Sequence, residues 1–258
     1  MTRDFTHDIY RQLLVSLKEA GCHFVTVNEY FTNKNTILTP LIMIRHDVDR
    51  RPNSSLKMAK IEADMGVKAT YYFRTISSTL KPDIIREIAS LGHEIGYHYE
   101  SLAEANGNYE EAIDDFSKNL NILRSIYPIK SIAMHGRPTS KWDSRWLWKK
   151  YDYKEFGIVS EPYFDINFNK VFYSTDAGRA WGDEAINLRD KVSTKFNFNI
   201  KHTKDLITLI NQGKLPNEIM LNIHPEHWAK SSFEWYEILL IRKVKNSAKK
   251  ILLKRKSA

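Results

Sequence analysis

Apolar and polar positions change period repeatedly along this chain. Over 8–20, Ile9, Leu13, Leu17 and Ala20 fall on one helical face, and Gly21 is placed to end the helix. His23 to Val27 reads as a strand and 32–40, with Asn33, Asn35 and Pro40, as a loop. Leu41, Ile42, Met43 and Ile44 form an unbroken apolar run, the pattern of a strand buried on both faces. Asn53 is suited to cap a helix that turns Leu56, Met58, Ala59, Ile61 and Met65 inward and stops at Gly66. KATYYF at 68–73 is rich in strand formers. Pro82 and Asp83 open the next helix, with Ile84, Ile85, Ile88 and Leu91 on its apolar face. HEIGYHYE follows as a short strand that finishes near His98.

The same alternation continues. A helix is predicted over 108–126, a strand over 131–135, a helix over 141–150 and a strand over 156–159. The stretch 160–201 mixes Tyr, Phe, Asp and Asn without a period and reads as a long insertion with some strand, a candidate lid. A helix over 203–213, a strand over 218–223 and a last helix from about 233 complete the chain. Seven or so strand–helix alternations predict an α/β fold with a parallel sheet covered by helices, a distorted (β/α)7-type barrel. The expected organisation is one domain over 1–241, with the insertion inside it, and a basic helix or tail over 242–258.

Composition narrows the class. At 258 residues, with 42% hydrophobic and 27% charged residues, the chain has the balance of a globular domain with a sizeable core. No run approaches a membrane span, and the N-terminus lacks the apolar core of a secretory signal. Cys22 is the only cysteine, so no intrachain disulfide forms. The expectation is a cytoplasmic protein. The net charge of +8 belongs to the tail: eight of the 39 basic residues lie between Arg242 and Ala258, where there is no acid. Setting them aside leaves 31 basic against 31 acidic residues, which argues against nucleic acid as the partner of the body. Leu240, Ile241, Val244, Ala248, Ile251 and Leu252 follow helical spacing among those lysines and arginines. A basic amphipathic helix of this kind suits peripheral contact with an anionic membrane surface, or packing on the domain with a frayed end.

The candidate chemistry sits where strands end. LIMI runs directly into Arg45, His46, Asp47 and Asp49, and buried charges are costly unless they are paired or used. His98, His135 and His224 also fall at predicted strand C-termini, the end at which active sites form in such barrels. Carboxylate and imidazole together bind a divalent ion and leave room for water, as a hydrolytic centre requires.

These segments resemble the polysaccharide deacetylases of carbohydrate esterase family four. RHDVD at 45–49 is similar to the first family motif, GVKATYYF at 66–73 to its second strand, and KPDIIREIASLGHEIGYHYESL at 81–102 to the helix and strand of the metal-binding histidine motif. HGRP at 135–138 resembles the Arg-and-Pro motif and MLNIHP at 220–225 the last motif. The resemblance covers about 41–228, in order, and is most specific over 66–102. It implies Asp47 as general base, His224 as general acid, Arg137 as orienter of the base or lining of the groove, and Asp49 and His98 as ligands of a divalent metal ion, zinc in the first instance. Two departures stand out. Val48 separates acids that are usually adjacent, and Leu102 occupies the place of the second metal-binding histidine. His135 is the candidate third ligand, with Glu100 behind it. Glu161 or Asp165 stands nearest to the usual Asp-and-Trp motif. Arg179 and Trp181, with Glu100, His227 and Trp228, are candidates to bind substrate. The function implied is removal of an N-acetyl group from an amino sugar of an intracellular surface-polysaccharide precursor, such as one for lipopolysaccharide. A C–N hydrolase of small non-sugar amides and an inactive glycan-binding or scaffolding homologue are the alternatives. The sequence leaves the oligomeric state open.

Overall fold

The computed structural model describes residues 3–33, 36–137, 140–182 and 189–256, with the side chains of Lys245 and of 248–256 outside that description. Helix α1 (His7–Glu19) is capped by the Thr6 hydroxyl, which accepts from the Ile9 N–H, and it buries Leu13, Leu14 and Leu17. Then come β1 (His23–Val25), α2 (Val27–Thr32), β2 (Leu41–Val48), α3 (Pro52–Asp64), β3 (Thr70–Phe73), α4 (Pro82–Ser90) and β4 (Glu94–Tyr99). After the short α5 (Ser101–Glu104) follow α6 (Tyr109–Arg124), β5 (Ile132–Met134), α7 (Pro162–Asp165), β6 (Phe172–Thr175), α8 (Thr203–Asn211), β7 (Glu218–Ile223) and α9 (Ser232–Lys256).

All strand pairings are parallel, in the order β5-β4-β3-β2-β7-β6, with β1 beside the first half of β2. The sheet curls into a half-barrel, the open form of the distorted barrel expected. Strand β2 lies at its centre and is buried throughout. Alternation sorts its side chains between two cores. Leu41 and Met43 pack inside the curl with Tyr72, Met220 and Val171, whereas Ile42, Ile44 and Val48 meet the helix layer. Arg45 and Asp47 therefore enter the concave interior, and His46 enters the helix-facing core.

That helix-facing core holds a polar knot. Glu62 of α3 is fully buried and accepts hydrogen bonds from the hydroxyls of Tyr10 and, at 2.6 Å, Tyr71. His46 Nε2 lies 2.6 Å from Oε1, the oxygen that also accepts from Tyr10. Burial would raise the Glu62 pKa, but the His46 charge and hydrogen bond, then His93 and Tyr10, hold it below its ordinary value.

Several elements differ from expectation. Helix α2 takes the end of the predicted first strand, and α3 starts at Pro52, with Arg51 in the N-cap position at φ 50° and not Asn53. Residues 144–149 form a 3-10 helix. The strand predicted over 156–159 is absent: a 3-10 turn (Tyr153–Phe156) leads instead to one isolated bridge, Ser131 to Ser160. The sixth strand lies inside the predicted insertion. Within that insertion, 183–188 fall outside the described residues, as does Pro138 of HGRP. Among the described residues no helix is long and apolar enough to cross a membrane.

Candidate active site

The site forms where β2, β4, β5 and β7 end. Arg45 and Asp47 lie two residues apart on the concave face, so the guanidinium reaches along the strand. Its Nε and Nη2 donate to the two oxygens of Asp47 at 2.7 and 2.8 Å. Asn222 of β7 adds a third donor to Asp47 Oδ2 at 3.1 Å. Tyr72 and Tyr163 place their rings 5.3 and 4.9 Å from the guanidinium. Tyr72 fits because position 96 is glycine: a Cβ there would lie 2.3 Å from the tyrosine ring. Burial would raise the Asp47 pKa, but the charge of Arg45, then those of His98 and His224, lower it. Asp47 is thus a buried, ionised carboxylate in a fixed orientation.

Asp49 lies one step beyond the strand. Its Oδ1 is buried and has no hydrogen-bond partner, which is costly for a carboxylate oxygen. Two imidazoles approach it: His98 Nε2 at 3.3 Å and His135 Nε2 at 3.5 Å. Each ring is anchored by its other nitrogen. His98 Nδ1 is 2.9 Å from the Ala133 carbonyl, which only accepts, so that nitrogen carries the proton. His135 Nδ1 is 2.8 Å from Glu100 Oε2, and Arg74 Nε donates to Glu100 Oε1 at 2.8 Å. In its neutral form His98 therefore aims a lone pair at Asp49 and, 3.6 Å away, at Asp47. Acceptors facing one another require a proton or a cation between them. Burial would raise Asp49, but the His135 charge and the approach of both imidazoles hold it well below the carboxylate range. Burial would lower His135, but Asp49, then Glu100, push it up to about 9.

Tetrahedral ligands bound at about 2.0–2.1 Å stand about 3.4 Å apart. The two Asp49 approaches, at 3.3 and 3.5 Å, match that spacing pair by pair, but, unlike Asp176, His224 and His227, the three residues do not bring all their donor atoms within 4.8 Å of one another, so the two rings would have to draw together to share one ion. Anchored rings and a carboxylate behind one of them are how proteins orient histidine ligands. Glu100 is thus a partner of His135 and not a substrate contact, since Arg74 and His135 occupy its oxygens.

A second group, Asp176, His224 and His227, gathers its donor atoms within 4.8 Å of one another. Its bonds describe a different task. Asp176 Oδ1 accepts from the His224 backbone N–H at 2.9 Å and lies 2.7 Å from His224 Nδ1, a hydrogen-bond separation too short for neighbouring metal ligands. Asp176 Oδ2 accepts from the Trp228 indole at 2.8 Å. Burial would lower His224, but Asp176, then Asp49 and Asp47, push it up to about 10. Its Nδ1 is committed to Asp176, which leaves Nε2 as the free end of a charged imidazole. His227 stacks on it with centroids 5.1 Å apart, and burial, then Arg242, push its pKa down to about 3.

The structure thus gathers Asp47, Asp49, His98, His135 and His224 at neighbouring strand ends. Other candidates lie elsewhere. Arg137 is half-exposed and pairs with Glu104 at 2.6 Å, so Arg45 and not Arg137 grips Asp47. Trp181 and Trp228 are buried in a cluster with Phe5 and Tyr10 and offer no face to a sugar. Arg179 lies 4.8 Å from the Trp235 ring beneath α9, and not in a substrate groove. His227 is buried, with Nδ1 3.6 Å from Asp176 Oδ2 and neither ring nitrogen in a hydrogen bond. Glu161 accepts from the Met134 backbone N–H and Asp165 from the Tyr153 hydroxyl, so Asp176 and not these two pairs with the histidine.

No family model matches the chain, and no curated protein matches it. Among solved structures it is similar to a CE4 family pseudoenzyme from Bacillus anthracis, at 14% identity over 80% of this chain and 60% of that one, TM-score 0.43. It is likewise similar to a mutant CE4 family pseudoenzyme with restored enzymatic activity, at 13% identity over 80% and 62%, TM-score 0.43. A family 4 carbohydrate esterase from Bacillus anthracis shares 14% identity over 89% and 83%, TM-score 0.39. This chain spans about three fifths of the length of the first two, and likeness at this level says nothing about its chemistry.

Proposed function

We propose that this chain is a metal-dependent hydrolase that removes the N-acetyl group from an amino sugar of a surface-polysaccharide precursor. The observation that carries the reading is a division of labour at one rim. Asp47 is held ionised by Arg45 and Asn222, His224 is held charged by Asp176, and Asp49 with its unpartnered oxygen faces His98 and His135. The amino-sugar substrate comes from the motif resemblance, not from the geometry.

Asp49, His98 and His135 would hold a divalent ion, which polarises a carbonyl and acidifies water. Asp47 takes the proton as water adds to the acetyl carbonyl, with Arg45 and Asn222 fixing its oxygens. His224 gives a proton from Nε2 to the nitrogen as the C–N bond breaks, and Asp176 keeps the ring oriented and charged for that step. The products are acetate and a free amine.

Leu102 favours a second reading, an inactive glycan-binding homologue, because it is fully buried and offers no ligand where the resemblance expects one. Acetate release separates the two. The metal-loaded protein is given N-acetylated sugars, free and linked to nucleotide or lipid diphosphate, beside small non-sugar amides. Acetate from a sugar and none from the simple amides is the expected result. No acetate from any of them, with metal bound, overturns the hydrolase.

A further inference from the structure

Helix α9 presents two opposite faces. One holds it to the body. The Trp235 indole donates to the Asp4 carbonyl at 2.6 Å, Ile238 is buried, Arg242 Nη2 donates to Glu226 at 2.8 Å, and Asn246 Nδ2 donates to the Gly178 carbonyl at 3.0 Å. These residues are spaced three and four apart, so they share one side of the helix. The other side carries Phe233, Tyr236, Leu240 and Val244, also spaced three and four apart, at 82%, 56%, 67% and 63% exposure. At about 100° per residue the two rows lie half a turn apart. Arg3 lies over the Tyr236 ring at 4.9 Å, while Phe233, Leu240 and Val244 stand in solvent; an exposed apolar row on a helix already anchored by its other side marks a contact surface.

Charge decides what that surface meets. No acidic residue follows Glu237, and eight basic residues lie between Arg242 and Ala258, while the remainder of the chain is neutral. We propose that α9 docks on an anionic lipid surface, its exposed apolar row entering the headgroup boundary and its basic run attracting the acidic lipids. A second copy of this chain would bring the same basic run and repel it. Nucleic acid would satisfy the charge and leave the apolar row in water. The helix has the paired signals, apolar area and basic charge, that stable peripheral binding requires. Arg242 ties α9 to Glu226, two residues beyond His224, so the docked helix abuts the site. The inference stands on α9 alone and does not depend on the chemistry of that site.

Sedimentation of the full chain with vesicles tests it. Binding is expected to vesicles containing phosphatidylglycerol, to fall with added salt, and to be weak on pure phosphatidylcholine. Leu240→Glu with Val244→Glu, both on the exposed row, is expected to lower partitioning about tenfold or more without loss of fold. Arg242 is left intact, so the helix stays anchored. Equal sedimentation of wild type and variant, or none on the anionic vesicles, overturns the proposal. Row-dependent dimers in light scattering without vesicle binding overturn it in favour of a second copy, and retention on duplex DNA without vesicle binding in favour of nucleic acid.

Discussion

Asp47→Asn is expected to lower acetate release by about 10²–10⁴-fold, the range for loss of a positioned general base, while metal content stays at the wild-type level. Asparagine keeps the size of the side chain and removes the basic oxygen. His98 and His135 both approach Asp49, whereas Asp47 lies near His98 alone, at 3.6 Å, and has its oxygens held by Arg45 and Asn222. Arg45 loses its buried partner in this variant, so the comparison is made on protein whose circular dichroism matches wild type. Unchanged turnover in the folded variant removes Asp47 as the base. Turnover and metal lost together make it a ligand.

Glu62→Ala is expected to cost about 3–5 kcal/mol of stability, read from the denaturant midpoint, since three buried groups lose their shared acceptor at about 1–3 kcal/mol each. The variant leaves the Tyr10 and Tyr71 hydroxyls and the His46 imidazole, all fully buried, without their shared acceptor. Glu62→Gln, which keeps one acceptor, falls between alanine and wild type. The Glu62 pKa is depressed on folding. Its contribution is therefore complete above the unfolded value of about 4.3 and is lost as pH falls through the folded value. A loss under about 1 kcal/mol in Glu62→Ala would mean that the knot relaxes around the gap.

The sequence exposed the scaffold where period and length speak together. LIMI read as a buried strand because both faces of β2 are covered, and the helix patterns after it matched α3, α4 and α6 in kind. His98, His135 and His224 were legible because each closes an apolar strand. What failed was local. The 156–159 stretch has strand composition but settles as a turn with a single bridge, since its backbone partners are few. The sixth strand, Phe172–Thr175, falls in the insertion expected to hold some strand, and flanking segments without a period hid its bounds.

Within the site, pairing was harder to read than position. Arg45 and Asp47 share a face by alternation, and the structure shows that the arginine grips the acid. The resemblance drew attention to Arg137, which pairs at the surface with Glu104. Asp176 lies a few residues before Arg179 and Trp181, the pair read as substrate contacts. Only the sheet order, β6 beside β7, shows that it meets His224. His46 looked like part of the reactive cluster, yet its one-residue offset from Asp47 sends it through the sheet to Glu62. Aromatic side chains misled for a simple reason: composition does not distinguish a platform for sugar from a buried cluster, and Trp181 and Trp228 are the latter.

The central claim is that Asp49, His98 and His135 form the metal site despite Leu102. Elemental analysis of untagged protein after incubation with zinc tests it most directly, with wild type beside His98→Ala, His135→Ala and His227→Ala. Stoichiometric metal in wild type and His227→Ala, lost in the other two, is the predicted result. Metal retained in His98→Ala and His135→Ala but lost in His227→Ala would contradict it and move the ion to Asp176, and no metal in any of them would remove it altogether.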